Sequence, residues 1–291
     1  MIIAEWLCDM IAEKFREAGI PDVELRIEKA EKCGIVGTHV SMLVHGEEEI
    51  SEDAHGHEHG HEHGHGHEHE HGHEHEHGYE HGHEHEHGHE HGHEHEHGHE
   101  HGHEHEHEHE HGHAHHHVHR SMPEVESIVS KLNVEPRIKQ DILAVYRLVA
   151  EAESSVHGKP VSEIHFHEVG MMDAIADITA VCMLIRELKV DEIVASPVAT
   201  GFGAVHCAHG ILPVPAPATA VLLRGIPAYS GQIEAELCTP TGAALLKYFV
   251  KRYEQMPMLS IEKTGYGMGK KDFEKANCVR AILGETESTI R

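Results

Sequence analysis

The chain has 291 residues, with 23 Lys+Arg against 51 Asp+Glu and 40 His, giving a formal net charge of −28. Positions 55–119 hold 33 of the histidines and 17 glutamates without a single Lys or Arg, so the other 226 residues carry only −11. A chain this acidic lacks the basic patch that grips nucleic acid, and no run of about 18 apolar residues is present to span a bilayer as a helix.

Residues 1–50 read as a helix over 2–18, stopped by Gly19 and Pro21, then an extended stretch over 23–44 broken by Gly34 and Gly37. The apolar start carries Glu5 and Asp9 and has no basic flank, so it reads as a helix of the mature protein and not as a signal peptide. This segment is too short to fold alone. Six scattered cysteines without a C-x-x-C pair fit reduced thiols and a cytoplasmic location. From Glu47 onward the sequence becomes Gly, His and Glu at nearly strict period two. Such a tract cannot bury enough apolar surface against a backbone ordering cost of about 1–2 kcal/mol per residue, so 51–119 is expected to be a long disordered insertion.

Residues 120–291 read as one folded domain. After Pro136, the residues Ile138, Ile142, Val145, Val149, Ala152 and Val156 recur at spacings of four and three, predicting a helix that ends at Gly158 and Pro160. An extended stretch over 163–167 puts His165 and His167 on one face and Ile164 and Phe166 on the other. A helix over 171–188 is apolar almost all round, which predicts burial on most sides. There follow a strand over 192–199, a Gly- and His-rich loop over 201–210, a helix near 217–223 and a helix opened by Thr239 and Pro240. Strands near 259–264 and 278–283 end the domain. Helices and strands alternate, so the fold class is mixed α/β, a single folded α/β domain carrying a His-rich insertion.

Four groups of residues carry chemistry. The tract, from His55, His57 and His59 at its start to His113, His115, His116, His117 and His119 at its end, offers many exchangeable imidazole sites for nickel, zinc or copper. A solvated spacer and a pH-responsive tail are the competing readings. In the second group, His165 and His167 share a strand face and Asp173 and Asp177 share a helix face, with Glu168 between them as ligand or proton acceptor. Together they suit a divalent metal; the competing reading is that Asp173 caps or complements the helix N-terminus while the histidines face solvent, but Asp177, one turn further into an apolar helix, needs a cationic or metallic partner. The third, His206, Cys207 and His209, joins soft sulfur to imidazole as a metal or sulfur-ligand site, or else is a plain cysteine beside surface histidines. The fourth is Thr239, Thr241 and Gly242 at a helix N-terminus. With Gly267 and Lys270 of the Gly265 to Lys271 loop it could cradle a phosphate, while ordinary capping explains Thr239 as well.

Taken in order, His165-Phe166-His167-Glu168-Val169-Gly170, Cys207-Ala208-His209-Gly210, Pro213-Val214-Pro215-Ala216-Pro217-Ala218-Thr219 and Thr239-Pro240-Thr241-Gly242-Ala243-Ala244 resemble the LarC-type nickel insertion proteins of lactate racemase maturation. The resemblance covers residues 121–285, and a His-rich insertion ahead of it is typical. It implies a nickel-inserting metallocyclase of lyase or chelatase type. Its substrate would be a thiolated pyridinium mononucleotide and its product the nickel-pincer nucleotide destined for lactate racemase. It also implies dependence on cytidine triphosphate with manganese or magnesium, and a homo-oligomer. Where the family begins with a strand and a Gly-Ser-rich turn leading to Gly-Asp-Met, this chain has Cys8-Asp9-Met10, so its start reads as truncated. The family carries a further C-terminal domain for the nucleotide triphosphate, expected here from a C-terminal domain or a separate chain. A nickel or zinc buffering protein without catalysis is the alternative.

Overall fold

The computed structural model describes residues 2–20, 23–44, 46, 120–166, 169–207 and 209–286, and its elements alternate as an α/β chain. In order they are α1 (Ile2–Glu17), β1 (Val23–Lys32), β2 (Ile35–Val44), β3 (Arg120–Ser121), α2 (Met122–Lys131), α3 (Pro136–His157), a 3-10 turn (Val161–Glu163) and β4 (His165–Phe166). Then come α4 (Met172–Leu188), β5 (Val194–Ala195), β6 (Val198–Ala199), β7 (Ala204–Cys207), β8 (Gly210–Pro213) and α5 (Pro217–Leu222). The chain continues through β9 (Ala228–Tyr229), α6 (Pro240–Phe249), β10 (Arg252–Tyr253), β11 (Leu259–Met268) and β12 (Cys278–Thr286). The described residues fall in one unit, Met1–Gly56 with His116–Arg291; the tract expected to be disordered lies outside them.

Helix α3 is the axis of the core. Ile142, Val145 and Val149 on its stripe are wholly buried, and α2, α4, α5 and α6 all pack against it. Each such side chain contributes about 1.5–3 kcal/mol by leaving water. Val156, last of the predicted stripe, is exposed and lines a cavity instead. Helix α4 is buried as its composition predicts, through Ile175, Ala176, Ile178 and Cys182. Ile11 and Phe15 of α1 and Val23 and Met42 of the first hairpin join the same cluster, so the N-terminal segment completes the core of 120–291.

The main sheet has the order β1-β2-β11-β12, with two antiparallel hairpins joined by a parallel β2–β11 contact at Thr38 and Gly267. The extended stretch predicted over 23–44 is thus a hairpin, turning at Cys33 and Gly34, both at positive φ. Gly37 does not break it. A Cβ there would come within 2.6 Å of the Tyr266 carbonyl oxygen, so the glycine lets β2 approach β11.

Several local expectations need correction. The strand over 192–199 is split into β5 and β6, which pair in parallel with β10 and β9 respectively. The Gly- and His-rich loop is the β7–β8 hairpin. Gly265 and Gly267, read as a phosphate loop, lie inside β11 opposite Ala281 and Val279, because the ladder to β12 runs unbroken through both and ties their backbone into the sheet. The Lys32 ammonium donates to the carbonyl oxygens of Lys270 and Lys271, which ties the end of that segment to the β1–β2 turn. Helix α2 was not anticipated. No helix among the described residues is long and apolar enough to cross a membrane.

Candidate functional site

The C-terminal turn of α3, the β4–α4 junction, the β7–β8 hairpin and the starts of α5 and α6 enclose a cavity of about 140 Å³. Its polar lining is Glu153, His157, Cys207, His209 and Glu236, and no Lys or Arg is among the lining residues described. Phe166, Val169, Val205, Leu212 and Pro217 supply apolar wall. With two carboxylates and no Lys or Arg among the described lining, the site favours a cationic or metal-bearing ligand over a bare anion.

Local sequence explains each placement. Gly158, left-handed at φ 63°, ends α3 directly after His157, so this imidazole stands in the last turn with Glu153 one turn behind it. His157 Nε2 lies 3.3 Å from Glu153 Oε2, and the His157 and His209 ring centres are 4.9 Å apart at a 35° tilt. Burial raises the Glu153 carboxyl above the usual range; the two nearby imidazoles and the His157 hydrogen bond act the other way. Strand alternation along β7 sends Val205 and Cys207 into the cavity and leaves His206 exposed outside it. The Cys207 thiol donates to the Gly210 carbonyl oxygen at 3.4 Å across the hairpin turn. Of the predicted trio, then, Cys207 and His209 meet and His206 does not. Sequence reasoning missed Glu153, His157 and Glu236. For the first two a signal exists in the i, i+4 spacing of Glu153 and His157 at a helix end.

The second predicted cluster borders this cavity. Phe166 and Val169 line it, while His167 and Glu168, between them in sequence, lie outside the described residues. His165 is exposed on β4 opposite Ser121 of β3, and the Arg120 guanidinium donates to the Gly170 carbonyl oxygen at 2.5 Å. Gly170 is required there, since a Cβ would meet the Phe166 carbonyl oxygen at 2.6 Å. Tyr146, wholly buried, donates to the Val169 carbonyl oxygen at 3.1 Å, and its hydroxyl pKa is raised by burial and then by Asp173 and Asp177. Asp177 reaches solvent yet is hemmed in by protein, and this burial pushes its carboxyl up to about 6. Asp173 Oδ1 accepts from the Ala174 amide in the first turn of α4, as its capping reading expects. Among the described residues, no three His, Cys, Asp or Glu side chains already converge on one metal position.

At the start of α6 the Thr239 hydroxyl accepts from the Gly242 amide at 3.3 Å, and Pro240 has no amide hydrogen to give. Helix geometry leaves the Thr241 amide as the donor for an anion. Pro240 also lines the cavity, so this helix start lies at its rim.

A family described as nickel insertion protein matches residues 2–291. A pyridinium-3,5-bisthiocarboxylic acid mononucleotide nickel insertion protein of Clostridium kluyveri is 46% identical over 168 residues, 58% of this chain and 42% of that protein. A protein of the same name from Clostridium acetobutylicum is 47% identical over 165 residues, 57% of this chain and 39% of the relative. A putative nickel insertion protein of Dictyoglomus thermophilum is 42% identical over 173 residues, 59% of this chain and 45% of its own length. The match thus spans about two-fifths of these relatives. No solved structure matches the chain.

Proposed function

Because this chain belongs to the nickel insertion protein family, we propose that its cavity is where nickel enters the pyridinium-3,5-bisthiocarboxylic acid mononucleotide named for its relatives. The observation that carries this reading is one cavity lined by a thiol, two imidazoles and two carboxylates, with no Lys or Arg among its described lining residues, beside a helix N-terminus. A cationic pyridinium ring suits apolar walls flanked by Glu153 and Glu236, and the single phosphate suits the start of α6. Nickel, as substrate, moves from imidazole and thiol donors to the two sulfur atoms of the mononucleotide, which are soft enough to compete for it. The 55–119 tract supplies the ion from many weak sites. The product would be the nickel-pincer nucleotide, passed to the lactate racemase apoprotein in the cytoplasm.

Cytidine triphosphate with manganese or magnesium is part of this proposal, but the described residues fit it poorly. One helix start with the Thr241 amide is too little for a triphosphate, and Gly265 and Gly267 belong to a strand. Asp173 and Asp177 are the oxygen donors suited to a hard cation. The triphosphate is assigned to a C-terminal domain or partner, and His165, His167 and Glu168 stay candidate ligands on their sequence alone.

Mass spectrometry tests the reading. Incubation with nickel and the thiolated mononucleotide, with cytidine triphosphate and a C-terminal partner present, should yield the nickel adduct, and Cys207→Ser should reduce it. Nickel binding without any adduct under these conditions would replace insertion with buffering.

A further inference from the structure

We propose that the β7–β8 hairpin is a flap over the cavity, hinged at its neck, that swings outward to admit the mononucleotide and closes over it. The proposal deepens the reading of the cavity as the place of nickel insertion and rests on it for the identity of the ligand. Size is the first ground. The cavity of about 140 Å³ is comparable with one of about 150 Å³ that takes a single benzene ring. Pockets that bury larger ligands span about 300–1,000 Å³. A pyridinium ring therefore fills the space alone, and two thiocarboxylates, a ribose and a phosphate need a wall that gives way.

Among the described walls, the hairpin is the one that can yield. Helices α3, α5 and α6 reach the cavity from the common core, where Val149, Leu222 and Ala243 are buried. The hairpin stands apart from it. Among the described residues, β7 and β8 pair with each other and with no further strand, and none of their hydrophobic side chains belongs to the core cluster or packs against it. Residues opposite one another share a face, so Val205 and Leu212 cover the cavity while His206 and Ile211 face away from it, Ile211 at 66% exposure. A two-stranded hairpin is marginally stable in water by itself. One with four-residue strands and a single covered face opens at little cost compared with the core.

The neck and the tip define the movement. The Phe202 amide donates to the Ile233 carbonyl oxygen at 3.2 Å and the Leu237 amide to the Thr200 carbonyl oxygen at 3.0 Å, which anchors the chain as far as Phe202. Gly203 follows at φ 94°, a conformation that favours glycine, and its carbonyl oxygen accepts from the Val214 amide at 3.0 Å to close the neck. The nearest atoms to a Cβ there belong to the Glu234 side chain and not to backbone, so the neck has room to turn. At the far end the His209 ring lies 4.9 Å from that of His157 at a 35° tilt, a contact between two exposed residues that latches the tip to α3.

Hydrogen exchange of the full chain tests the flap. Amides of residues 204–212 should exchange on the order of 100-fold faster than those of 142–152 in α3. The thiolated mononucleotide, added well above its dissociation constant, should slow the hairpin amides by about 10-fold or more and leave α3 as it was. His209→Ala should speed the hairpin exchange roughly 2- to 10-fold, the worth of one ring contact, while unchanged α3 exchange shows that the variant folds. Hairpin amides as slow as those of α3, hairpin exchange unchanged in folded His209→Ala, or a mononucleotide that binds by calorimetry without slowing the hairpin would each overturn the proposal. A fast hairpin in a protein that binds no mononucleotide would sink the insertion reading and leave the hairpin's motion standing.

Discussion

Asp177 stands one turn inside α4, in a helix whose neighbours Ile175, Ala176 and Ile178 are buried, and the surrounding protein lifts its carboxyl from an ordinary 3.8 to about 6. The folded protein therefore keeps a proton that the unfolded chain releases as pH climbs through that window. The carboxyl subtracts stability above about pH 6 and costs nothing below pH 3.8. Asp177→Asn in metal-free protein is accordingly expected to raise the melting temperature at pH 7.5, with the gain shrinking through pH 6 to nothing near pH 3.8. Thermal denaturation across that range checks it, and an equal gain at every pH would rule out the titration as cause. The sequence points to a carboxylate buried among apolar helix residues and needing a cationic or metallic partner; Asp177 instead reaches the surface between buried Ala176 and Ile178. What sits near it was not legible, since Tyr146 and Arg120 reach the same neighbourhood from α3 and β3. His157 shows the opposite failure. Its spacing from Glu153 was in plain view, but pairing with His209 depends on a hairpin about fifty residues later.

At the scale of elements, three helices are bound together through one buried carboxylate. Asp141 of α3 has no exposed surface; it accepts from Arg186 of α4 at 2.5 and 2.7 Å and from the Tyr248 hydroxyl of α6 at 2.7 Å. Arg186 is about a third exposed, so removing it leaves the buried carboxylate with the Tyr248 hydroxyl and the more distant Arg137 guanidinium at 3.5 Å. Breaking such a pair costs about 3–5 kcal/mol, and here the Tyr248 hydroxyl keeps the loss toward the lower end. Arg186→Ala should lower the free energy of unfolding by about 3 kcal/mol in denaturant titrations. Arg186→Lys should recover only part of it, because an ammonium cannot reproduce the two-pronged contact. A loss below about 0.5 kcal/mol, the range of ordinary surface substitutions, would show that the three helices do not depend on this contact. The helices themselves were readable from periodicity and stops, and α6 from Thr239 and Pro240. Helix α2 escaped because its signal lies in its entry: the Glu124 carboxylate accepts from the Ser121 amide at 2.7 Å, a capping box written as Ser121-Met122-Pro123-Glu124. The short parallel pairs β5–β10 and β6–β9 escaped for a different reason, being two-residue contacts fixed by packing between distant segments.

For the molecule as a whole, the sequence separates two kinds of work. The buried cluster draws on residues between Ile11 and Met42 and between Met122 and Ala244, and the 33-histidine stretch has only Tyr79, Ala114 and Val118 as apolar side chains to offer a core. Removing 55–119 should therefore leave the melting temperature of the metal-free protein unchanged while stripping away most of its metal capacity. That capacity should be steeply pH-dependent. With an unperturbed imidazole pKa near 6.5, about a quarter of these side chains are charged at pH 7 and about three quarters at pH 6, enough to reverse the sign of a stretch that carries 17 glutamates. Protonation then competes with the metal at each nitrogen, and the reversed charge repels it as well. The full chain is expected to bind several nickel or zinc ions at pH 7.5 in calorimetric titrations and to release most of them by pH 5.5. The deletion variant should keep about one. Binding of no more than one ion by the full chain at pH 7.5, retention undiminished at pH 5.5, or a large fall in the melting temperature of the metal-free deletion variant would each contradict this division between a metal-gathering stretch and a folded unit that handles one ion at a time.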